Sequence, residues 1–102
     1  MECILEGHGY SLKNYVCDVQ IIEFMKKEKG EITQDGVTNE EVLEMLIARM
    51  QYLNRTLPCR ENSIVITKLE EALMWLNKRT QNRTIQNVEG TDIAHDNGAS
   101  QH

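Results

Sequence analysis

The single proline of this chain, Pro58, stands between two runs whose apolar residues recur at helical spacing. Before it, Val42, Leu46, Met50 and Leu53 share one helical face, and Leu43 and Ile47 widen that face. After it, Val65, Leu69, Ala72, Leu73 and Leu76 form a second stripe, while Ile64, Ile66, Met74 and Trp75 make the neighbouring faces apolar as well. Proline supplies no amide and disfavours helix at the residue before it, yet it is tolerated in a first helical turn. One helix therefore ends before Pro58 and a second runs from about Cys59 to about Asn82. The two form an antiparallel helical hairpin. The start of the first helix is marked by Thr38-Asn39-Glu40-Glu41, a capping-box pattern in which the Thr38 hydroxyl accepts from the amide three residues on.

The first third carries the other periodicity. Tyr15 to Phe24 is dense in β-branched and aromatic residues, with Asp18, Gln20 and Ile22 on one face and Cys17, Val19 and Ile21 on the other, as in a half-buried strand. Cys3-Ile4-Leu5 is a candidate partner strand, joined through a turn at Gly7-His8-Gly9. Lys26 to Gly30 is expected to turn the chain, and Glu31-Ile32-Thr33 to add one short strand ending near Asp35-Gly36. The fold class is thus α+β, a small N-terminal antiparallel β-sheet followed by the long hairpin. From Thr84 onward the apolar periodicity fades; 87–91 reads as a loop and 92–102 as a flexible tail. The division expected is a single domain over 1–91, β-rich at 1–35 and helical at 38–83.

A chain of 102 residues holds one small core. Two helices and a small sheet cannot cover all the apolar faces of the second helix, so either further copies of the same chain bury them or Trp75 packs under the N-terminal strands. Three cysteines (Cys3, Cys17, Cys59) without C-x-x-C spacing argue against a disulfide framework, and the scattered histidines against a metal site. No transmembrane-length apolar run is present and no secretory signal pattern opens the chain, which points to a cytoplasmic protein. No nucleophile elbow, P-loop or H-E-x-x-H is found, and Glu40, Glu41 and Glu44 are explained by the helix dipole. The reading is of a binding protein without catalysis, metal or cofactor.

The formal charge is −5, but it is unevenly placed. Between Arg49 and Arg83 seven bases face three acids, a net +4, while the remainder nets −9. This favours a compact anionic partner over a long polyanion. Asn62 offers an amide able to read a base edge or ribose hydroxyl, Arg79 and Arg83 offer guanidinium forks for phosphate, and Tyr52 offers a flat face for stacking. Asn62 and Arg79 lie seventeen residues apart on one helix, roughly 25 Å at the helical rise. One small ligand cannot reach both in a single chain. An antiparallel pair of these helices brings Asn62 of one copy to Arg79 of the other and creates two equivalent sites.

The segments Pro58–Asn62, Ile66–Thr80 and Val88–Thr91, with Gly36–Glu41 at the start of the first helix, resemble the phage Thoeris anti-defence sponges. Those proteins share their helical hairpin with the anti-CBASS cyclic-oligonucleotide sponges. The resemblance covers about 36–91. It implies a non-enzymatic protein that withholds a cyclic nucleotide immune messenger, glycocyclic ADP-ribose or a cyclic di- or trinucleotide, from a bacterial effector. It also implies a homodimer assembling further to a hexamer, with ligand between protomers and no membrane or nucleic-acid polymer as partner. By position, the motif asparagine falls on Asn62, the motif arginine on Arg79, and the stacking aromatic near Tyr52. Leu57 stands where an aromatic is common and Asn87 where a glycine is common. The competing reading is a small phage regulator that binds DNA through the basic helix ends.

Overall fold

The computed structural model describes residues 1–90, with side chains through residue 85. The chain is α+β, with five strands followed by two helices, and it divides into two compact units, Met1–Val42 and the chain from Leu43 onward.

In the first unit β1 (Glu2–Leu5), β2 (Gly9–Lys13) and β3 (Val19–Glu23) form an antiparallel sheet in the order β1-β2-β3. The β1–β2 turn lies at Glu6-Gly7-His8; Gly7 takes a φ of 76°, and the His8 amide donates to the Leu5 carbonyl at 2.8 Å. The central strand β2 is one that periodicity did not mark. Its Gly-Tyr-Ser-Leu-Lys sequence is poor in β-branched residues, and its place comes from pairing on both sides, Cys3↔Tyr10 with β1 and Tyr10↔Ile22 with β3. The expected strand over Tyr15–Phe24 is correspondingly shorter. Residues 14–18 form the turn between β2 and β3, closed by hydrogen bonds from the Asn14 amide to the Asp18 carbonyl and from the Cys17 amide to the Asn14 carbonyl. Cys17 adopts a φ of 72° there. Strand propensity at Tyr15 and Val16 yields to ladder register, and both side chains are exposed.

A second hairpin pairs β4 (Lys26–Glu28) with β5 (Glu31–Gln34). Its two-residue turn is Lys29-Gly30, with φ 52° and 81°, the backbone that a primed hairpin turn requires. The segment expected only to turn the chain is therefore itself a short strand and its turn. Gln34 ties this hairpin to the three-stranded sheet: its Nε2 donates to the carbonyls of His8 at 3.2 Å and Phe24 at 3.0 Å. Tyr10 and Phe24 meet edge to face with centroids 6.0 Å apart. Phe24 and Val37 form a parallel bridge. At Gly36 the chain passes so close to Glu23 that a Cβ would overlap the Glu23 carbonyl oxygen, so only glycine fits.

Helix α1 (Asn39–Thr56) begins as its capping sequence dictates. The Glu41 amide donates to Thr38 Oγ1 at 3.2 Å. The turn into α2 (Arg60–Gly90) is built by Asn54 and Cys59. Asn54 Oδ1 accepts from the Cys59 amide at 3.1 Å, Asn54 Nδ2 approaches Ser63 Oγ at 3.4 Å, and the Asn62 amide donates to Cys59 Sγ at 3.4 Å. A thiol thus stands at the N-cap, where a hydroxyl or amide oxygen is usual. Helix α2 continues to Gly90, well past the expected end near Asn82, and 87–90 is helical instead of a loop. No glycine or proline interrupts residues 59–89, and Thr80 and Thr84 return their hydroxyls to the Leu76 and Thr80 carbonyls at 3.1 and 3.0 Å. A helix needs only its own backbone bonds to continue, so loss of the apolar stripe did not mark its end. The tail expected over 92–102 lies outside the described residues.

Candidate functional site

The least exposed residues of α2 through residue 85 are Asn62, Ile66, Leu69, Leu73, Leu76 and Arg79, all half-buried. From Asn62 to Leu76 they recur every four, three, four and three residues, the seam of a helix packed along its length. On α1 the matching half-buried set includes Leu43, Ile47, Met50 and Asn54, at intervals of four, three and four. Of the sequence-predicted ligand residues, Asn62 thus stands at one end of this seam, and Arg79 lies beside it, three residues past Leu76.

Their surroundings differ. Asn62 lies in the first turn of α2, its backbone amide held by Cys59, so its side chain is not the helix cap. Arg79 is half-buried, and its Nε is shielded from solvent without a hydrogen-bond partner. Arg83 is exposed one helical turn further on. Tyr52, near the end of α1, is 57% exposed, and the Arg55 guanidinium carbon sits 6.0 Å from its ring centroid. Tyr52 and Asn62 therefore flank the hairpin turn. Arg79 and Arg83 lie in the second half of α2, roughly 25 and 31 Å from Asn62 along the helix axis.

The apolar surface is open in the single chain. Among the described residues no hydrophobic side chain is fully buried. Trp75 is 62% exposed, and Ile64, Val65 and Met74 are also exposed. An open groove of about 550 Å³ on α2 is lined by Leu73, Met74, Trp75 and Lys78 together with Glu70, Asn77 and Gln81. None of Tyr52, Asn62, Arg79 or Arg83 lines it. Among the described residues no group of three or more His, Cys, Asp or Glu side chains is placed to hold a metal ion, and no helix is long and apolar enough to cross a membrane. The residues that sequence reasoning passed over are Asn54 and Cys59. The signal for Cys59 was its place directly after the proline and before an acidic first turn.

This hairpin has relatives. The family described as Acb2/Tad1, hairpin domain, matches residues 21–81. The chain belongs to the Acb2/Tad1 hairpin family. The Acb2/Tad1 match runs from within β3 through most of α2, so it includes Tyr52, Asn62 and Arg79 and ends two residues before Arg83. The chain is also similar to a Bacillus phage SBSphiJ7 protein named Thoeris anti-defense 1, with 45% identity over 82 residues. That similarity covers 79% of this chain, and the chain spans 58% of the length of that relative. The family match bears out the resemblance over 36–81 and extends it upstream into β3.

Proposed function

We propose that this protein is a phage anti-defence sponge, which binds a cyclic nucleotide immune messenger and withholds it without cleaving it. The observation that carries the proposal is the wide separation of Asn62 and Arg79 on α2, both half-buried and roughly 25 Å apart along the helix axis. The separation forbids a site for a small ligand within one chain, and an antiparallel copy supplies the missing half twice over. Tyr52 stacks on a base, Asn62 reads a base edge or ribose hydroxyl, and Arg79 and Arg83 bind phosphate.

The ligand class follows from the scale of the site. Four groups, one flat, one amide and two guanidinium, suit a compact bis-phosphate such as glycocyclic ADP-ribose, or a cyclic di- or trinucleotide. The overall acidity of the chain disfavours a nucleic-acid polymer. The name of the phage relative and the shared hairpin support the same reading. The exposed apolar residues of α2 support assembly as a homodimer and, through the remaining faces, as a hexamer. The domain divides as 1–91 with a tail over 92–102, and it acts in the cytoplasm of the infected host.

A thermal-shift panel tests the function. Cyclic ADP-ribose, its glycocyclic isomers, cyclic dinucleotides and cyclic trinucleotides are added to the purified chain, and the ligand is recovered afterwards for chromatography. One class is expected to raise the midpoint through mass action and to be released intact. No stabilisation by any class, or recovery of a cleaved ligand, overturns the proposal.

A further inference from the structure

The start of α2 satisfies its donors from two directions. The Cys59 carbonyl accepts from the Ser63 amide at 3.2 Å, and Cys59 Sγ accepts from the Asn62 amide at 3.4 Å. Cys59 is therefore the N-cap and Asn62 the third helical residue. From that third position a polar side chain can reach back to the amide of the N-cap residue and close a capping box. Here that amide is already taken: Asn54 Oδ1, near the end of α1, accepts it at 3.1 Å. Asn62 enters the hydrogen bonds of the turn through its backbone alone, and its half-buried side chain has no part in them.

We propose that Asn54 is the positioning residue for Asn62: it occupies the Cys59 amide and so keeps the Asn62 side chain out of the cap and open to a ligand. Two side-chain carbonyls of the same kind compete for one donor. Asn54 wins because it is held twice, by the Cys59 amide and, at 3.4 Å, by Ser63 Oγ. The thiol adds to the dependence. Sulfur is a weak acceptor, so this helix start leans on Asn54 more than one capped by serine or aspartate does. The exchange at the cap stands on the geometry of the turn; the use made of the freed side chain rests on the proposed function.

A free Asn62 keeps both its carbonyl oxygen and its amide N–H groups for a base edge or a ribose hydroxyl. An Asn62 engaged at the cap has to break that bond before it binds, and the ligand loses affinity by that amount. Tyr52 stands two residues before Asn54. The contact that frees Asn62 thus also ties the end of α1, which carries the stacking ring, to the start of α2.

A double-mutant cycle on stability tests the exchange without any ligand. At one protomer concentration, Asn62→Ala alone is expected to leave the urea midpoint nearly unchanged, because its side chain caps nothing. In the Asn54→Ala background the Asn62 side chain turns back to the Cys59 amide, and Asn62→Ala is expected to lower the midpoint by about 0.5 M. In the Asn54→Asp background an acceptor remains, and Asn62→Ala is expected to be nearly neutral again. Equal midpoint changes for Asn62→Ala in the wild-type and Asn54→Ala backgrounds overturn the proposal. Calorimetry with glycocyclic ADP-ribose, under conditions where every variant is folded, supplies the second readout. Asn54→Ala is expected to weaken binding about tenfold, and Asn62→Ala to cost less in that background than in wild type. Wild-type affinity in Asn54→Ala overturns the positioning role even if the stabilities couple. The sponge reading fails separately: coupled stabilities in a chain that binds no cyclic nucleotide keep the exchange at the cap and remove the function.

Discussion

Asn54 holds Cys59 across the hairpin turn: its side-chain oxygen accepts the Cys59 amide at 3.1 Å while its Nδ2 approaches Ser63 Oγ at 3.4 Å. One side chain thereby satisfies a backbone donor that Pro58 leaves at the start of α2 and links the end of α1 to the second helix. Its replacement removes both bonds. Asn54→Ala is expected to lower stability by about 1 kcal/mol, the usual cost of a lost cap or side-chain hydrogen bond. Asn54→Asp, which keeps the acceptor, is expected to lose less. Urea denaturation of the three proteins checks the order, and an unchanged midpoint for Asn54→Ala contradicts the role.

Gly36 is the position where added volume has nowhere to go, because the Glu23 carbonyl occupies the space of a Cβ. Gly36→Ala is expected to destabilise the β-rich unit by about 1–3 kcal/mol through overpacking. Gly7→Ala meets open space and carries only the backbone cost of its positive φ, about 1 kcal/mol. Thermal unfolding of the pair separates the two causes, and equal losses would show that the close approach at Gly36 is not what matters.

The ligand residues are tested at both positions on α2. Asn62→Ala and Arg79→Ala are each expected to abolish capture of the cyclic nucleotide found by thermal shift, while circular dichroism keeps its helical amplitude. A hydrogen bond to a charged group contributes about 1.5–3 kcal/mol, or roughly 10- to 150-fold in affinity. Arg79→Lys keeps the charge but not the fork and is expected to fall between wild type and Arg79→Ala. Calorimetry with undiminished binding in both alanine variants would sink the assignment.

Tyr52 is tested by chemistry instead of by deletion alone. Tyr52→Phe is expected to bind within a few-fold of wild type, and Tyr52→Ala to lose about 1–3 kcal/mol of stacking. If phenylalanine loses as much as alanine, the ring is not a stacking platform and the hydroxyl is what the ligand touches.

Salt separates a small anionic ligand from DNA. A site contacting two phosphates is expected to weaken only slightly between 50 and 200 mM salt, whereas DNA held by many phosphate contacts weakens by orders of magnitude. A gel shift of duplex DNA at low salt that vanishes at high salt would favour the regulator reading.

The helices were legible because their signals are local. Thr38 caps α1 as its sequence predicted, Pro58 separates the two helices, and of the predicted apolar stripes Val42, Leu43, Ile47, Met50, Leu53, Leu69, Leu73 and Leu76 lie half-buried while Leu46, Val65 and Ala72 are exposed. The end of α2 was not legible from the stripe, since Thr80 and Thr84 close their own hydrogen bonds inside the helix and need no apolar contact. The candidate site divides the same way. Residue chemistry named Tyr52, Asn62, Arg79 and Arg83, but the shielded, unpartnered Nε of Arg79 is a property of the folded chain.

Sequence alone determined the α+β class, the hairpin about Pro58 and the family resemblance, because capping, proline geometry and helical periodicity act over a few residues. Tertiary structure alone decided the central strand of the sheet and its pairing. Tyr10 reads as an ordinary residue until Cys3 and Ile22 pair on either side of it. Gly36 reads as an ordinary turn glycine until Glu23 is placed against it, and Gln34 becomes a link only when the His8 and Phe24 carbonyls converge on it. Tyr10 and Ile22 lie 12 residues apart, Glu23 and Gly36 13, and His8 and Gln34 26, separations that local periodicity does not sample.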